Sequence, residues 1–284
     1  MKPIITDFTV GADPEMFIVD NRTKEVVSSI GLIPGEKGDP WKDESWPEGF
    51  GIEIDNILAE FNIPPVKTKE DFINNLNFMK SEIDKFVKKQ DDNLGILCTA
   101  SKMVSEDQLQ HPIAKLFGCS VDYNAYKEGP NPKPKGESTN LRSAGFHIHL
   151  GYANKNTETS LEIIKNMDVF LGLPSVIFDR DRKRRSLYGK AGCFRLTPYG
   201  LEYRVLSSKM YSTDALMSLV WDGITLSIKA YNLGMDLSKY KSDVVKAINT
   251  SNKKLAISTL LDINSNIKLR TFNNFINKVV KEEI

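Results

Sequence analysis

Residues 142–152, RSAGFHIHLGY, constrain this chain more than any other stretch. Read with the two-residue period of a β-strand, Phe146, Ile148 and Leu150 fall on one face and His147, His149 and Gly151 on the other. The apolar face has to be buried, so this strand lies in a sheet packed on a core. The opposite face then shows two imidazoles side by side, in a chain with only three histidines. Imidazole nitrogens bind divalent metals, and the second ring can instead address a phosphate. The plainer reading is an amphipathic strand whose solvent face carries two histidines.

Other segments carry acids with the same alternation. Residues 5–19 read as a strand entering the core, with Asp13 and Glu15 two apart and on one side; Pro14 limits ladder pairing and suits an edge or a bulge. Residues 50–63 read as a strand with Glu53 and Asp55 on one side, and a bend near Asn56 would bring Glu60 to their face. Residues 200–206 place Glu202 and Arg204 on one face and Leu201, Tyr203 and Val205 on the other. A sheet face of carboxylates and imidazoles is destabilised by desolvation and self-repulsion unless cations sit among them. Oxygen ligands with one histidine suit Mg²⁺ or Mn²⁺ better than a closed structural zinc site.

Basic residues crowd just before the last of these strands, at 180–185 and at Lys190 and Arg195. Such a run is ordinarily a solvated face. Its nearby acids, and a balance of 38 basic to 37 acidic residues, favour a local anion such as a nucleoside triphosphate over a polynucleotide groove. No nucleic-acid or membrane partner is expected from a net charge of +1. Walker, Rossmann and protein-kinase signatures are absent, so phosphates would be held by metals and arginines. The N-terminus has no signal-peptide core, and three scattered cysteines without a C-x-x-C argue against a disulfide framework, so a cytoplasmic protein is expected.

The remaining pattern is scaffold. Residues 68–90 form the clearest helix, capped by Thr68 and Asp71 and striped by Phe72, Ile73, Leu76, Met79, Ile83, Phe86 and Val87. Residues 26–33 and 94–100 read as short strands, and 34–49 and 118–141 as loops able to cover a site. A helix over 160–171 ends at Gly172-Leu173-Pro174, and another starts at Pro174. Residues 213–284 are helical, with nothing catalytic in them.

The order DPE, AEFNIPP, GFHIHLGY and GLEYR is similar to that of the carboxylate–amine ligases built on the glutamine synthetase and glutamate–cysteine ligase fold. More narrowly, GADPEMF, FGCSVDYNAY, RSAGFHIHLGY and LEYRVLSS resemble the phage-type COOH–NH2 ligase (amidoligase type 2) family, over roughly residues 8–210. The resemblance implies an α+β fold, a mainly antiparallel sheet funnel with flanking helices. Residues 1–232 would be the catalytic domain and 233–284 a helical extension packed on it. It implies ATP and two or three Mg²⁺ ions, with Mn²⁺ as a substitute, and transfer of the γ-phosphoryl group to a carboxylate. An amine then attacks the acyl phosphate, both substrates being small molecules or peptides. Carried over, Glu15, Glu60, His147 and Glu202 are metal ligands; Asp13 joins them, as Asp where Glu is commoner, and Glu53 or Asp55 either supplies a further ligand or lies on an exposed strand face. His149 is a ligand or a phosphate contact, and Arg204 holds the transferred phosphate. Arg184, Arg185, Lys190 and Arg195 bind phosphate or substrate carboxylate, with Arg185, Arg204 and Glu60 nearest the chemistry. Two other classes stay open: a metal-dependent hydrolase using H-x-H, and a non-catalytic phage structural protein retaining the fold.

Overall fold

The computed structural model describes residues 3–115, 122–127, 129–131 and 139–282. Half of the FGCSVDYNAY motif, Cys119 and half of the 118–141 loop lie outside the described residues; Cys98 and Cys193 are free thiols. The main sheet is built on β1 (Phe8–Asp20). β4 (Leu58–Val66) pairs along one side of it and β9 (Phe146–Tyr152) along the other. β3 (Gly51–Asp55) extends the sheet beyond β4, and β11 (Gly200–Tyr203), β10 (Cys193–Thr197) and β7 (Tyr123–Asn124) extend it beyond β9. β2 (Val26–Val27) and β5 (Leu94–Leu97) flank the far end of β1, while β6 (Ser101–Met103) and β8 (Leu141–Ser143) form a separate ribbon. Every pairing between these strands is antiparallel.

Helices cover the apolar face. α1 (Lys69–Gln90) buries Phe72, Leu76, Met79, Ile83 and Val87, each worth roughly 1.5–3 kcal/mol when withdrawn from water. Its start is fixed by Thr68, whose Oγ1 accepts the Asp71 N–H at 3.1 Å. Phe72 stacks on Phe146 of β9, with ring centroids 6.3 Å apart, and on Trp221 of α6 (Asp214–Asn232) at 5.6 Å. The short helices α2 (Pro112–Lys115) and α5 (Arg184–Leu187) lie in connecting segments. The last three helices, α7 (Lys241–Asn249), α8 (Lys253–Asn266) and α9 (Arg270–Val280), contribute to the same apolar core as the sheet. Among the described residues, no helix is long and apolar enough to cross a membrane.

Four local expectations need correction. β1 is the central strand, so Pro14 is not at an edge; it stands at the last rung of the β1–β9 ladder, where a missing N–H costs least. Residues 50–63 are two strands and not one, whereas the bend near Asn56 is present: Asn56 takes a left-handed φ of 61° and turns the chain into a hairpin that sets Glu53 opposite Glu60. The chain does not stop at Gly172-Leu173-Pro174: α3 (Thr157–Met167) passes through a π turn, Asp168–Gly172, into α4 (Leu173–Phe178). Pro174 is accommodated in the first turn of α4, and the wide turn sets the Asp168 carboxyl into the core. Residues 28–33 leave the sheet after β2, as do 98–100 after β5.

Candidate active site

The register assembles the polar face. Asp13 lies opposite His147, Glu15 opposite Glu60, and Glu60 opposite Glu53; His149 lies opposite Glu202, and Glu202 opposite Arg195. Side chains two apart share a face, so one acid-rich band crosses five neighbouring strands from β3 to β11 and reaches β10. Further along that face of β1, Phe17 and Val19 join a small apolar cluster with Ile57, Leu58, Val104 and Ala144, which closes one end of the band. His147, Glu15, Glu60 and Glu202 are all buried. Two groups of three ligand atoms converge here, Asp13–His147–Glu202 and Glu15–Glu60–His147, with the atoms of each within 4.8 Å of one another. His147 belongs to both.

Local geometry holds these groups in place. Gly145 N–H donates to Glu15 Oε2 at 2.6 Å while Glu15 N–H donates to Gly145 O at 3.0 Å, clasping β1 to the start of β9. A Cβ on Gly145 would stand 2.7 Å from His147 Nε2, so the close approach needs glycine. His147 Nδ1 lies 3.6 Å from Asp13 Oδ1 and 3.7 Å from Glu202 Oε1. His149 is differently engaged: Nε2 meets Asp13 Oδ1 at 2.9 Å and Nδ1 meets the Tyr199 hydroxyl.

Electrostatics follow from crowding. Burial, then the charges of Asp13, Asp55 and Glu15, pushes the Glu60 carboxyl well above its ordinary value. Glu15 is also raised, by burial against the opposing pull of His147. Burial acts to raise Asp13 too, but the His149 and His147 imidazoles beside it outweigh that and hold it below the ordinary carboxylate range. The His149 ring is correspondingly raised, burial being overcome by Asp13.

The basic residues divide. Arg204 Nε lies 2.6 Å from Asp122, and its Nη1 contacts Glu202 and lies 3.4 Å from His147 Nδ1, so this guanidinium is in the band. Arg195 Nε is 3.3 Å from Glu202 Oε2. Arg184 borders the adjoining cavity while its Nη1 holds Val205 O at 3.0 Å. Arg185 is placed elsewhere: it is buried, donates to Gly189 O, to Val205 O at 3.1 Å and to Ser175 Oγ at 2.9 Å, and does not border the cavity. Lys190 is exposed. The third histidine, His111, is exposed at the start of α2, where its Nδ1 accepts from Ile113 N–H, so no third imidazole joins the band.

Two residues went unrecognised in the sequence. Lys37 reaches in from the 34–49 loop to Asp55 Oδ2 at 2.5 Å, and Gly38 N–H donates to Glu53 Oε2 at 2.9 Å. The loop is anchored on α1 by Trp46, whose Nε1 donates to Glu82, and by Trp41 against Phe86. Its readable signal was the glycine pair around Lys37: Gly35 and Gly38 both have positive φ, and a side chain on Gly35 would collide with Ile52 O. The other is Asp122, the partner of Arg204.

Residues 137–280 match the family model described as Phage phiEco32-like COOH.NH2 ligase-type 2. The matched span holds His147, His149, Arg195, Glu202 and Arg204; Asp13, Glu15 and Glu60 come from the strands before it. No curated protein matches the chain.

Proposed function

The chain belongs to the phage phiEco32-like COOH.NH2 ligase-type 2 family, and we propose that it joins a carboxylate to an amine at the expense of ATP, through an acyl phosphate. The observation that carries this reading is the pair of ligand groups meeting at His147, buried but for the half-buried Asp13, with Arg204 beside them. The donor set fits hard divalent ions: carboxylate oxygens and one imidazole, with Glu60 and Glu15 raised first by burial and then by neighbouring carboxylates, a cost that a cation would relieve. His147 has one ring nitrogen free to ligate, so it would complete one of the two groups and not both: with Asp13 and Glu202 it would hold one Mg²⁺ ion and leave the carboxylates of Glu15 and Glu60 for a second, or the reverse. Bound there, such ions screen phosphate oxygens and let two anions approach.

The chain's own groups have separable tasks in this reading. A carboxylate oxygen attacks the γ-phosphorus, the bond to the bridging oxygen breaks, and ADP leaves with the electron pair. Arg204, fixed from both sides by Asp122 and Glu202, presents its guanidinium to the transferred phosphoryl group. Arg195 approaches from the next strand on the other oxygen of Glu202. The amine nitrogen then attacks the acyl carbon, a proton departs, and phosphate leaves as the amide forms. His149, held between Asp13 and Tyr199, is oriented at the edge of the band nearest Gly11 and Gly151, where an open groove admits a ligand.

The test is calorimetric titration with a non-hydrolysable ATP analogue, with and without Mg²⁺, followed by ADP release in a panel of amino-acid carboxylates with hydroxylamine as surrogate amine. Magnesium-dependent nucleotide binding is expected, weakened at least tenfold in Glu15→Gln and Glu202→Gln. Absence of nucleotide binding, or stoichiometric zinc with ATP-independent hydrolysis, would overturn the reading.

A further inference from the structure

Lys37 has no task in the proposed reaction, yet the backbone around it fixes its position closely. Residues 36–39 close a tight turn: Glu36 N–H donates to Asp39 O at 3.2 Å and Asp39 N–H donates to Glu36 O at 2.8 Å, with Lys37 and Gly38 at the tip. Gly38 takes a φ of 85°, the positive value that glycine supplies at the third position of such turns. The turn is docked on β3 through Gly38 N–H on Glu53 and through Trp41, whose N–H and C=O pair with Ile52 at 2.8 and 2.9 Å. Backbone contacts, and not the lysine side chain, thus set the ammonium at this end of the band.

What it meets there is acid. Asp55 is buried, not on an exposed strand face, and its Oδ2 holds Lys37 Nζ. Glu60 and Glu15, both buried, also lie within the field of this ammonium, and so does Glu53. One ammonium is therefore shared by four carboxylates. A lone exposed lysine–aspartate pair contributes little. Here three of the partners are buried, and a buried carboxylate that loses its cation is left uncompensated at a much larger cost. Glu15 and Glu60 also belong to one of the two ligand groups, whereas Asp55 belongs to neither. A divalent ion on Glu15 and Glu60 would share those carboxylates with Lys37, and two cations so placed repel each other. We propose that Lys37 is a tethered counter-cation of the band: it neutralises the end formed by Asp55, Glu60 and Glu15 while no ion is bound, and it competes with the ion that Glu15 and Glu60 take up. Its side chain is 46% exposed, so the ammonium can withdraw towards solvent while the turn stays docked. The proposal rests on the metal-binding part of the ligase reading, and on neither ATP nor the acyl phosphate.

The test uses the full chain, stripped of ions and without nucleotide. Mn²⁺ is titrated into wild type, Lys37→Met, Lys37→Gln and Lys37→Arg, and the free ion is counted by electron paramagnetic resonance. The two neutral variants should bind one Mn²⁺ at least fivefold more tightly than wild type, and Lys37→Arg, which keeps the charge, should not. Either neutral variant suffices where the other does not fold. In EDTA the neutral variants should melt below wild type, and that loss should shrink in an Asp55→Asn background. Unchanged Mn²⁺ affinity in the neutral variants would overturn the proposal. So would weaker binding, which would make Lys37 a support of the ligands, or equal tightening in Lys37→Arg. Uptake of Mn²⁺ by the neutral variants but not by wild type would remove the ligase reading and leave the counter-cation standing; no uptake by any of the four would remove both.

Discussion

Replacing Asp168 with asparagine should make the protein more stable at alkaline pH and leave it nearly unchanged in acid. The carboxyl sits in the π turn between α3 and α4, fully buried, accepting the Tyr203 hydroxyl at 2.7 Å, and the Tyr126 hydroxyl interacts with it as well. Burial pushes it from 3.8 up to about 7, against the pull of those hydrogen bonds. A carboxyl raised in the folded state keeps its proton there after the unfolded chain has released it. Its contribution is therefore fully present below pH 3.8 and is lost as pH rises through about 7. About three pH units at ~1.4 kcal/mol each give a loss of roughly 4 kcal/mol across that window. Asparagine does not titrate, so the difference between variant and wild type should already be about 1 kcal/mol at pH 4.5, relative to its value below pH 3.8, and grow to as much as about 4 kcal/mol at pH 8. Glu15 and Glu60 also titrate upward, but they do so in both proteins and cancel in the difference. Urea unfolding of the two proteins at pH 4.5, 6 and 8 reads the effect directly. Stability curves that stay parallel across the window would refute the argument.

The other predictions concern the band and the basic run. Without divalent ions, Glu60→Gln should melt above the wild type at neutral pH, because it removes the charge most raised by burial and by Asp13, Asp55 and Glu15. At a hundredfold excess over its Kd, Mg²⁺ should stabilise the wild type by about 2.7 kcal/mol and the variant by much less; equal magnesium shifts would separate Glu60 from the metal. Arg185→Met should lower the melting temperature, since Gly189 O and Ser175 Oγ lose a donor at about 1–3 kcal/mol apiece while Val205 O keeps Arg184, and the folded fraction should keep its nucleotide affinity. A variant that melts normally and binds nucleotide tenfold more weakly would return Arg185 to the chemistry.

The contrast between Arg184 and Arg185 shows which parts of such a site a sequence can disclose. The band was legible because two local rules suffice for it: alternation puts Asp13 with Glu15, and His147 with His149, on a common face, and antiparallel pairing sets those faces side by side. The turn at Asn56 could be named only as a condition, since Glu60 shares the face of Glu53 when the chain bends there and nothing local in the sequence fixes that bend. Pro14 misled because a missing N–H argues against a central strand until the end of a particular ladder is known. Side chains outside the strands obey no comparable rule. Arg184 and Arg185 are consecutive on one helical turn and so point different ways, one to the cavity wall and one to Ser175, and composition cannot choose between them. Lys37 and Asp122 arrive on loops whose paths are set by distant contacts, Trp46 on Glu82 for the first and Arg204 for the second. The acids were therefore readable one strand at a time, whereas the cations that balance them depend on the whole fold. Asp55 belongs to both classes: its face follows from alternation, but its pairing through Oδ2 with Lys37 exists only once the loop has been carried across to it.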